Sequence, residues 1–572
     1  MLGRYALTFS RGAHRHELRR CAEAAGLPIL IDRADLLFAA DEETPYLAGD
    51  QSLLVGEIYS AEYSPLLELD GFSAERTLGG ASDRPWGNFA FFDSATPSVY
   101  RDPSGTVCVY HCVKSGEDVF VSDADLALRL GLLKDASADL TFAVHWLQFP
   151  FLRSRNAGLD GVSELLPGVC RSRGPSGEWR DACLWRPSGF IARRQSVADR
   201  AQATSALRDC TLATVAAQCG SKSSLLQLSG GLDSSIISVS LHSAGADFEA
   251  ANFATRSVDG DERRYARDVA ARSNAALTEL LEPERASLEE VRVAAFRPST
   301  NPLLSPFQTA IEAAVRDSRR SVLIDGGGGD NIFCYVTSAA PVIDAFLWGG
   351  YRSGLDALHD VAARAGSNVW QVAAAALRRF CRPARGWRED RTFLNRDFLL
   401  DHCDGHPWLD GLGRAPPGKR EHVRALIDIQ HFLDRGTSPA VRRLHPLMAQ
   451  PMLELCLRIP SWLWIRGGRD RAVARDAFED LLPPSVFRRR AKGSLESLFH
   501  RSFSSLREQM REMLLTGELR RSGLLDAPSV ERALQGAEAE SDDVQLRISE
   551  LVALEQWLQY WRSRPGSSLT EA

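Results

Sequence analysis

The stretch Ser229-Gly230-Gly231-Leu232-Asp233-Ser234-Ser235, set between the apolar run 225–228 and a helix-like segment starting at Ser234, constrains this chain more than any other. Two glycines after a strand let the backbone fold tightly enough to aim amide N–H groups at an anion. Serines add hydroxyl donors, and the helix that follows offers the positive end of its dipole. The stretch reads as a phosphate loop with Leu228, Ser229, Gly230, Gly231, Asp233, Ser234 and Ser235 as nucleotide contacts. A carboxylate inside an anion-binding loop repels phosphate unless a divalent cation sits between them, so Asp233 reads as a magnesium ligand. The lysine of the GxxxxGK[ST] pattern is missing, which excludes a Walker A site.

Two further constellations carry chemistry. Asp325-Gly326-Gly327-Gly328-Gly329-Asp330-Asn331 directly follows the apolar run 321–325. Four glycines cost backbone entropy that is tolerable where a ligand approaches the main chain closely, so Gly326, Gly327 and Gly328 read as nucleotide contacts. Asp330 offers a second carboxylate, and one magnesium shared with Asp233 would offset pyrophosphate charge. The third constellation runs from Asp470-Arg471-Ala472-Val473-Ala474-Arg475 to Arg488-Arg489-Arg490-Ala491-Lys492-Gly493. A fixed cation such as Lys492 stabilises charge developing on pyrophosphate and on a collapsing tetrahedral adduct. Arg488, Arg489 and Arg490 are left open between a solvated face and pyrophosphate contacts. His445, before Pro446, is open between a general base and a structural histidine at a helix entry.

At 572 residues the chain suits two or three domains. Residues 1–195 read as β-rich, with short β-branched or aromatic runs at 52–59, 87–93, 107–113 and 118–121 and helices at 13–25 and 123–133. A polar stretch, 171–200, reads as the boundary, and residues 196–572 as the second domain. There, helix 197–219 precedes an alternation of strands (225–228, 249–254, 321–325) and helices (234–242, 261–272, 306–319). Such alternation predicts a doubly wound parallel sheet with its ligand at the carboxyl ends of the strands. Beyond residue 340 the pattern is mostly helical, ending in an amphipathic helix over 549–561.

A net charge of −6 provides no global basic field for nucleic acid. No apolar stretch is long enough to span a bilayer, and the start shows no secretory pattern, so a cytoplasmic location without membrane insertion is expected. Eleven cysteines without repeating spacing argue for reduced thiols rather than a disulfide framework. Cys108, His111 and Cys112, and His402, Cys403 and His406, lack the paired spacing of a zinc site.

The SGGxDSS loop resembles the signature of the ATP-pyrophosphatase (PP-loop) enzymes, which cleave ATP between its α and β phosphates. In the N-terminal part, Trp86-Gly87-Asn88-Phe89-Ala90-Phe91-Phe92-Asp93, Arg101-Asp102-Pro103-Ser104-Gly105 and Gly161-Val162-Ser163-Glu164-Leu165-Leu166-Pro167-Gly168 resemble the glutaminase domain of asparagine synthetases. The resemblance implies an αββα N-terminal-nucleophile-like sandwich followed by a PP-loop synthetase domain. It also implies ATP and Mg2+ as cofactors, Asp330 as metal ligand and Lys492 as catalytic lysine. In those enzymes a cysteine after the initiator Met attacks glutamine; residue 2 here is Leu, so the domain is expected to keep the fold and not the amidohydrolase reaction. Asparagine synthetases place Glu, and β-lactam synthetases Tyr, where this chain has Gly327, so their general base is not transferable.

Within this group, the loop Gly327 to Asn331, the triplet His445-Pro446-Leu447 and the segment Gly468 to Arg475 look most like lasso-peptide cyclases. Those enzymes adenylate an Asp or Glu side chain of a leaderless precursor peptide and join it to the peptide's N-terminal amine. The resemblance implies that peptide as substrate, with a leader peptidase and a leader-recognition protein as partners. The absent side chain at Gly327 is expected to make room for a folded peptide. A small-molecule amide synthetase and a non-catalytic scaffold of the same fold are the alternatives; the presence of Asp233, Asp330 and Lys492 argues against the scaffold.

Overall fold

The computed structural model describes residues 3–9, 13–69, 72, 84–114, 116–134, 136–256, 260–282, 288, 294–298, 302–335, 337–382, 386–433, 441–489, 496–536, 541–564 and 569–570. The fold is mixed α/β, with two antiparallel sheets in the N-terminal part and a parallel sheet in the C-terminal part. The first N-terminal sheet runs Val162–Glu164, Tyr110–Lys114, Glu117–Val121, Tyr5–Thr8, Leu36–Ala40, Ile29–Arg33. The second runs Trp179–Cys183, Val169–Arg173, Ser98–Arg101, Trp86–Asp93, Ser52–Tyr59, Tyr46–Ala48. Strand alternation sends Tyr5, Leu7 and Phe38 of one sheet and Val55, Phe92 and Val99 of the other into a shared core. Tyr5 meets Phe92 edge-on at 6.0 Å across it.

The other face of the first sheet, with Ala6, Leu37 and Val121, packs on helices Ala13–Ala24, Ala124–Arg129 and Leu140–Gln148. The outer face of the second sheet, with Leu54, Phe89 and Phe91, is met by Leu66, Leu69 and Phe72 of the connecting segment. Among the described residues this segment stands where the αββα expectation puts a second helical layer. The run 107–113 is a strand only from Tyr110, while Val107 and Val109 enter the core from a loop. The stretch read as a boundary is partly structured: Val169–Arg173 and Trp179–Cys183 form the edge hairpin. Trp185, fully buried, donates from Nε1 to Glu454 at 2.9 Å and packs edge-on against Trp408. Most of the stretch stays at the surface, and Trp185, Pro187 and Ile191 anchor it to the core.

Helix Arg200–Cys219 opens the C-terminal part. Its parallel sheet runs Leu277–Leu281, Phe248–Ala254, Ser224–Gln227, Val322–Ile324, Arg442–Leu444. Two of these strands escape the sequence reading because both lie at the edges. Leu277–Leu281 is half exposed, and Arg442–Leu444 carries two arginines at a position where only one side pairs. The strand order reverses between Ser224–Gln227 and Val322–Ile324. The carboxyl ends of these two neighbours therefore frame the crevice expected to hold a ligand in an open parallel sheet.

The closing helix, Asp542–Arg562, differs from the amphipathic expectation. It is buried along most of its circumference, from Ile548 and Leu551 to Leu558 and Trp561. It lies against helix Glu496–Thr516 and touches helix Leu140–Gln148, where Trp557 meets Phe142 at 5.5 Å. Neighbours on several sides require apolar residues on several sides. None of the described helices is long and apolar enough to cross a membrane.

Candidate functional site

The phosphate loop leaves strand Ser224–Gln227 and enters helix Leu232–Ser243, whose N-terminal turn has no side-chain cap at Gly231. Its first-turn amides are thus not occupied by a capping side chain. The serines brace the loop from within. Ser229 Oγ lies 3.0 Å from Ser234 Oγ, the Gly231 amide donates to Ser229 Oγ at 3.2 Å, and Ser235 Oγ donates to the Gly231 carbonyl at 2.6 Å. Ser235 is fully buried, so it supports the loop from behind.

The second glycine-rich loop lies directly against this one. A Cβ at Gly326 would fall 2.7 Å from the Ser234 nitrogen, and one at Gly329 would fall 2.3 Å from Asp233 Cγ. Any side chain at either position would push the two loops apart, which is the physical reason for glycine there. Helix Gly329–Ile332 then starts with Asp330 in its first turn. Asn331 turns away, donating from Nδ2 to the Ala425 carbonyl of helix Pro417–Leu433 at 2.8 Å.

Asp233 and Asp330, 97 residues apart by numbering, converge on one cation, the Arg471 guanidinium. Its Nη1 lies 3.2 and 3.1 Å from the two Asp233 oxygens and also contacts Asp330 Oδ1. Arg471 has left-handed backbone at φ 49°, a strained conformation for an arginine, and its Nε donates to Asp470 at 3.1 Å. Burial works against its charge, but Asp233, Asp330 and Asp470 outweigh that and raise its pKa. Asp470 is held by Arg364 at 3.1 Å and Arg475 at 3.4 Å as well. Arg471 is the residue that sequence reading missed: it stood inside a quoted motif, and nothing local shows that its guanidinium reaches two distant loops.

Beside the loops lies a cavity of about 340 Å³ lined by Leu228, Ser229, Gly231, Asp233, Ser234, Gly326 and Gly327 among others. Of the anticipated site residues, Gly230, Ser235, Gly328 and Asp330 are not part of this lining. Glu262, Asp325, Arg443 and His445 complete its polar wall. His445 Nδ1 lies 2.6 Å from Asp325 Oδ1 and its Nε2 3.1 Å from the Leu433 carbonyl. Burial pushes the Asp325 carboxyl up, yet His445 and Arg443 together bring it down to about 2. A Cβ at Gly327 would meet Asp325 Oδ1 at 2.7 Å and His445 Nδ1 at 2.8 Å. The expectation that Gly327 leaves room for a folded peptide is thus corrected, because the imidazole and the carboxylate fill the space beside it.

Arg489 lies at the rim. It donates to Glu262 at 2.6 Å, stacks over Tyr265 at 3.9 Å and reaches the Gly230 carbonyl at 3.4 Å. Arg488 is exposed. Arg490, Lys492 and Leu2 fall outside the described residues. The cysteine–histidine groupings form no metal cluster among the described residues. His111 pairs with Asp118 at 2.7 Å and His406 with Gln430 at 3.0 Å.

The donor chemistry fits a divalent cation: two carboxylates from adjacent loops reach one point, next to backbone amides suited to phosphate. Asp233 and Asp330 are the residues that would hold it.

Comparison with known proteins gives a family and little else. No curated protein matches the chain. Two solved structures have titles reading "Structure of the allosteric regulatory enzyme of purine biosynthesis" and "Glutamine phosphoribosylpyrophosphate (PRPP) amidotransferase from B. subtilis complexed with ADP and GMP". The first is 8% identical with TM-score 0.21, covering 50% of this chain and 82% of its own. The second is 7% identical with TM-score 0.19, covering 57% and 81%. Likenesses this weak carry no argument. The sequence profile described as asparagine synthase matches residues 206–559, more than half of the chain and every residue of the site just described, and the chain therefore belongs to the asparagine synthase family of ATP-dependent amide-forming ligases.

Proposed function

We propose that the chain closes a macrolactam. It transfers AMP from ATP to an Asp or Glu side-chain carboxylate of a leaderless precursor peptide, releasing pyrophosphate. The peptide's N-terminal amine then displaces AMP to form a lasso-type ring. The observation that carries the ATP-splitting half is the convergence of Asp233 and Asp330 on one cation beside the uncapped turn at Gly231. A bound magnesium ion would supply charge neutralisation for the departing pyrophosphate.

The chain's own groups do the rest. Backbone amides of the Ser229 to Ser235 loop orient the phosphates. Arg471 and Arg489, with Lys492 expected beside them, place positive charge where negative charge develops. Residues 1–195 are proposed as a degenerate glutaminase-like domain and residues 196–572 as the synthetase domain. Leu2 cannot release ammonia from glutamine, so the amine arrives on the substrate. A cytoplasmic enzyme served by a leader peptidase and a leader-recognition protein completes the reading.

The protein is incubated with ATP, magnesium and a synthetic leaderless peptide from a neighbouring short reading frame. The products expected are AMP, pyrophosphate and a peptide lighter by one water, and Lys492→Ala abolishes all three. AMP release that depends on aspartate and ammonia, with no mass loss from the peptide, would replace this reading with a small-molecule amide synthetase.

A further inference from the structure

We propose that His445, oriented by Asp325, is the catalytic base that takes the proton from the attacking amine as the amide forms. The proposal rests on the reading above that this cavity makes an amide. Its footing is geometric. His445 is the one histidine among the described residues that line the cavity. It shares that wall with Ser229, Asp233 and Gly327, so a carboxyl group activated at the phosphate loop would form within the same space.

The acidic groups of the wall are otherwise engaged. Asp233 faces Arg471 at 3.1 Å, and Glu262 accepts from Arg489 at 2.6 Å. Asp325, held at about 2, is a weak base, and Arg443 lies 3.4 Å from its second oxygen. Its first oxygen fixes the imidazole through Nδ1 at 2.6 Å, which leaves Nε2 as the exchanging nitrogen. Nε2 stands 3.1 Å from the Leu433 carbonyl, a contact that the attacking amine must displace to reach the ring. A buried carboxylate holding one nitrogen of a ring whose other nitrogen exchanges protons is the division of labour by which Asp–His pairs act as bases.

The step balances. The neutral amine attacks the carbonyl carbon of the acyl-adenylate and forms the C–N bond. The resulting N–H proton passes to His445 Nε2. The C–O bond to AMP breaks, and AMP leaves with the electron pair. The imidazolium, stabilised by Asp325, then returns its proton to solvent. Gly327 is part of the same device, since its missing Cβ makes the space that the pair occupies.

The charged groups that face the pair are Arg443 on Asp325 and, across the cavity, Asp233 and Glu262. A base that acts only when neutral gives closure a rising limb against pH. In His445→Gln, closure of the synthetic peptide is expected to fall about 100-fold, and the rising limb of kcat/KM against pH to disappear. Peptide-dependent exchange of labelled pyrophosphate into ATP should fall far less. Exogenous imidazole should restore part of the closure in His445→Ala, a result that only a folded protein can give, and Asp325→Asn should displace the limb rather than remove it. Equal loss of both half-reactions, or closure that keeps the wild-type pH profile in His445→Gln, would overturn the proposal. If the wild type closes no peptide but joins aspartate to ammonia, the macrolactam reading fails, and the same His445→Gln profile on that reaction still decides the base.

Discussion

In the N-terminal half, Arg101, Asp102 and Glu164 are at most 1% exposed, whereas in the C-terminal half the side chain of Asp330 is 44% exposed at a crevice. All four stand in sharp sequence motifs. Glu164 accepts from Arg101 at 2.7 Å, Arg153 at 2.9 Å and Arg297 at 2.9 Å, and Arg153 also donates to the Gln430 carbonyl at 2.7 Å. Asp102 accepts from the Phe89 and Ser104 amides at 3.1 and 2.7 Å. These motif residues are struts, and one of them ties the two halves together. The second half uses its motif residues to surround a cavity. A motif therefore marks a position with narrow chemical tolerance, and only its surroundings say whether the tolerance comes from packing or from chemistry.

That contrast can be broken by substitution. Asp233→Ala should lower pyrophosphate release by at least about 1,000-fold while leaving the thermal midpoint almost unchanged, because Asp330 and Asp470 still neutralise Arg471. A large fall in the midpoint would make Asp233 a strut like Glu164.

Glu164→Ala should do the reverse, costing about 3–5 kcal/mol in denaturant unfolding, because three buried guanidinium groups lose their common acceptor. Burial pushes the Glu164 carboxyl up, and the three arginines hold it well below the usual range. Lost turnover with unchanged stability would erase the distinction between the halves.

The smallest effect sharpens it. Burial holds the Asp102 carboxyl up at about 7, against hydrogen bonds from Ser104 and Phe89 and the charge of Arg101, which lower it. The folded state thus binds this proton more tightly than the unfolded chain does. The stabilisation is complete below about pH 4 and is lost as pH rises through about 7. Asp102→Asn keeps one of the two accepting oxygens and removes the titration. The variant thus carries a fixed cost from the lost acceptor, while the difference in thermal midpoint between variant and wild type should still change between about pH 4 and 7. A constant difference would place Asp102 outside the buried scaffold.

Local signals carried much of this molecule. Strand Ser224–Gln227, helix Leu232–Ser243 and strand Val322–Ile324 are legible because apolar runs end in glycine-rich turns, a pattern set by neighbours in sequence. Edge strand Arg442–Leu444 is not, since its arginines are accommodated by carboxylates distant in sequence, Arg442 by Glu57 at 2.6 Å and Arg443 by Asp325 at 3.4 Å. The closing helix was found, but its burial was not, since burial depends on what surrounds it.

Sequence by itself determined that two carboxylates, Asp233 and Asp330, follow strands in glycine-rich loops, and that residue 2 is not a nucleophile. Tertiary structure decided which groups meet them. Arg471 reaches both carboxylates across more than 100 residues of chain, and His445 meets Asp325 at 2.6 Å beside Gly327. Hydrogen bonds and ion pairs act over about 3 Å, so partners separated by 120 positions are set by the packing of the sheet that brings their strands together.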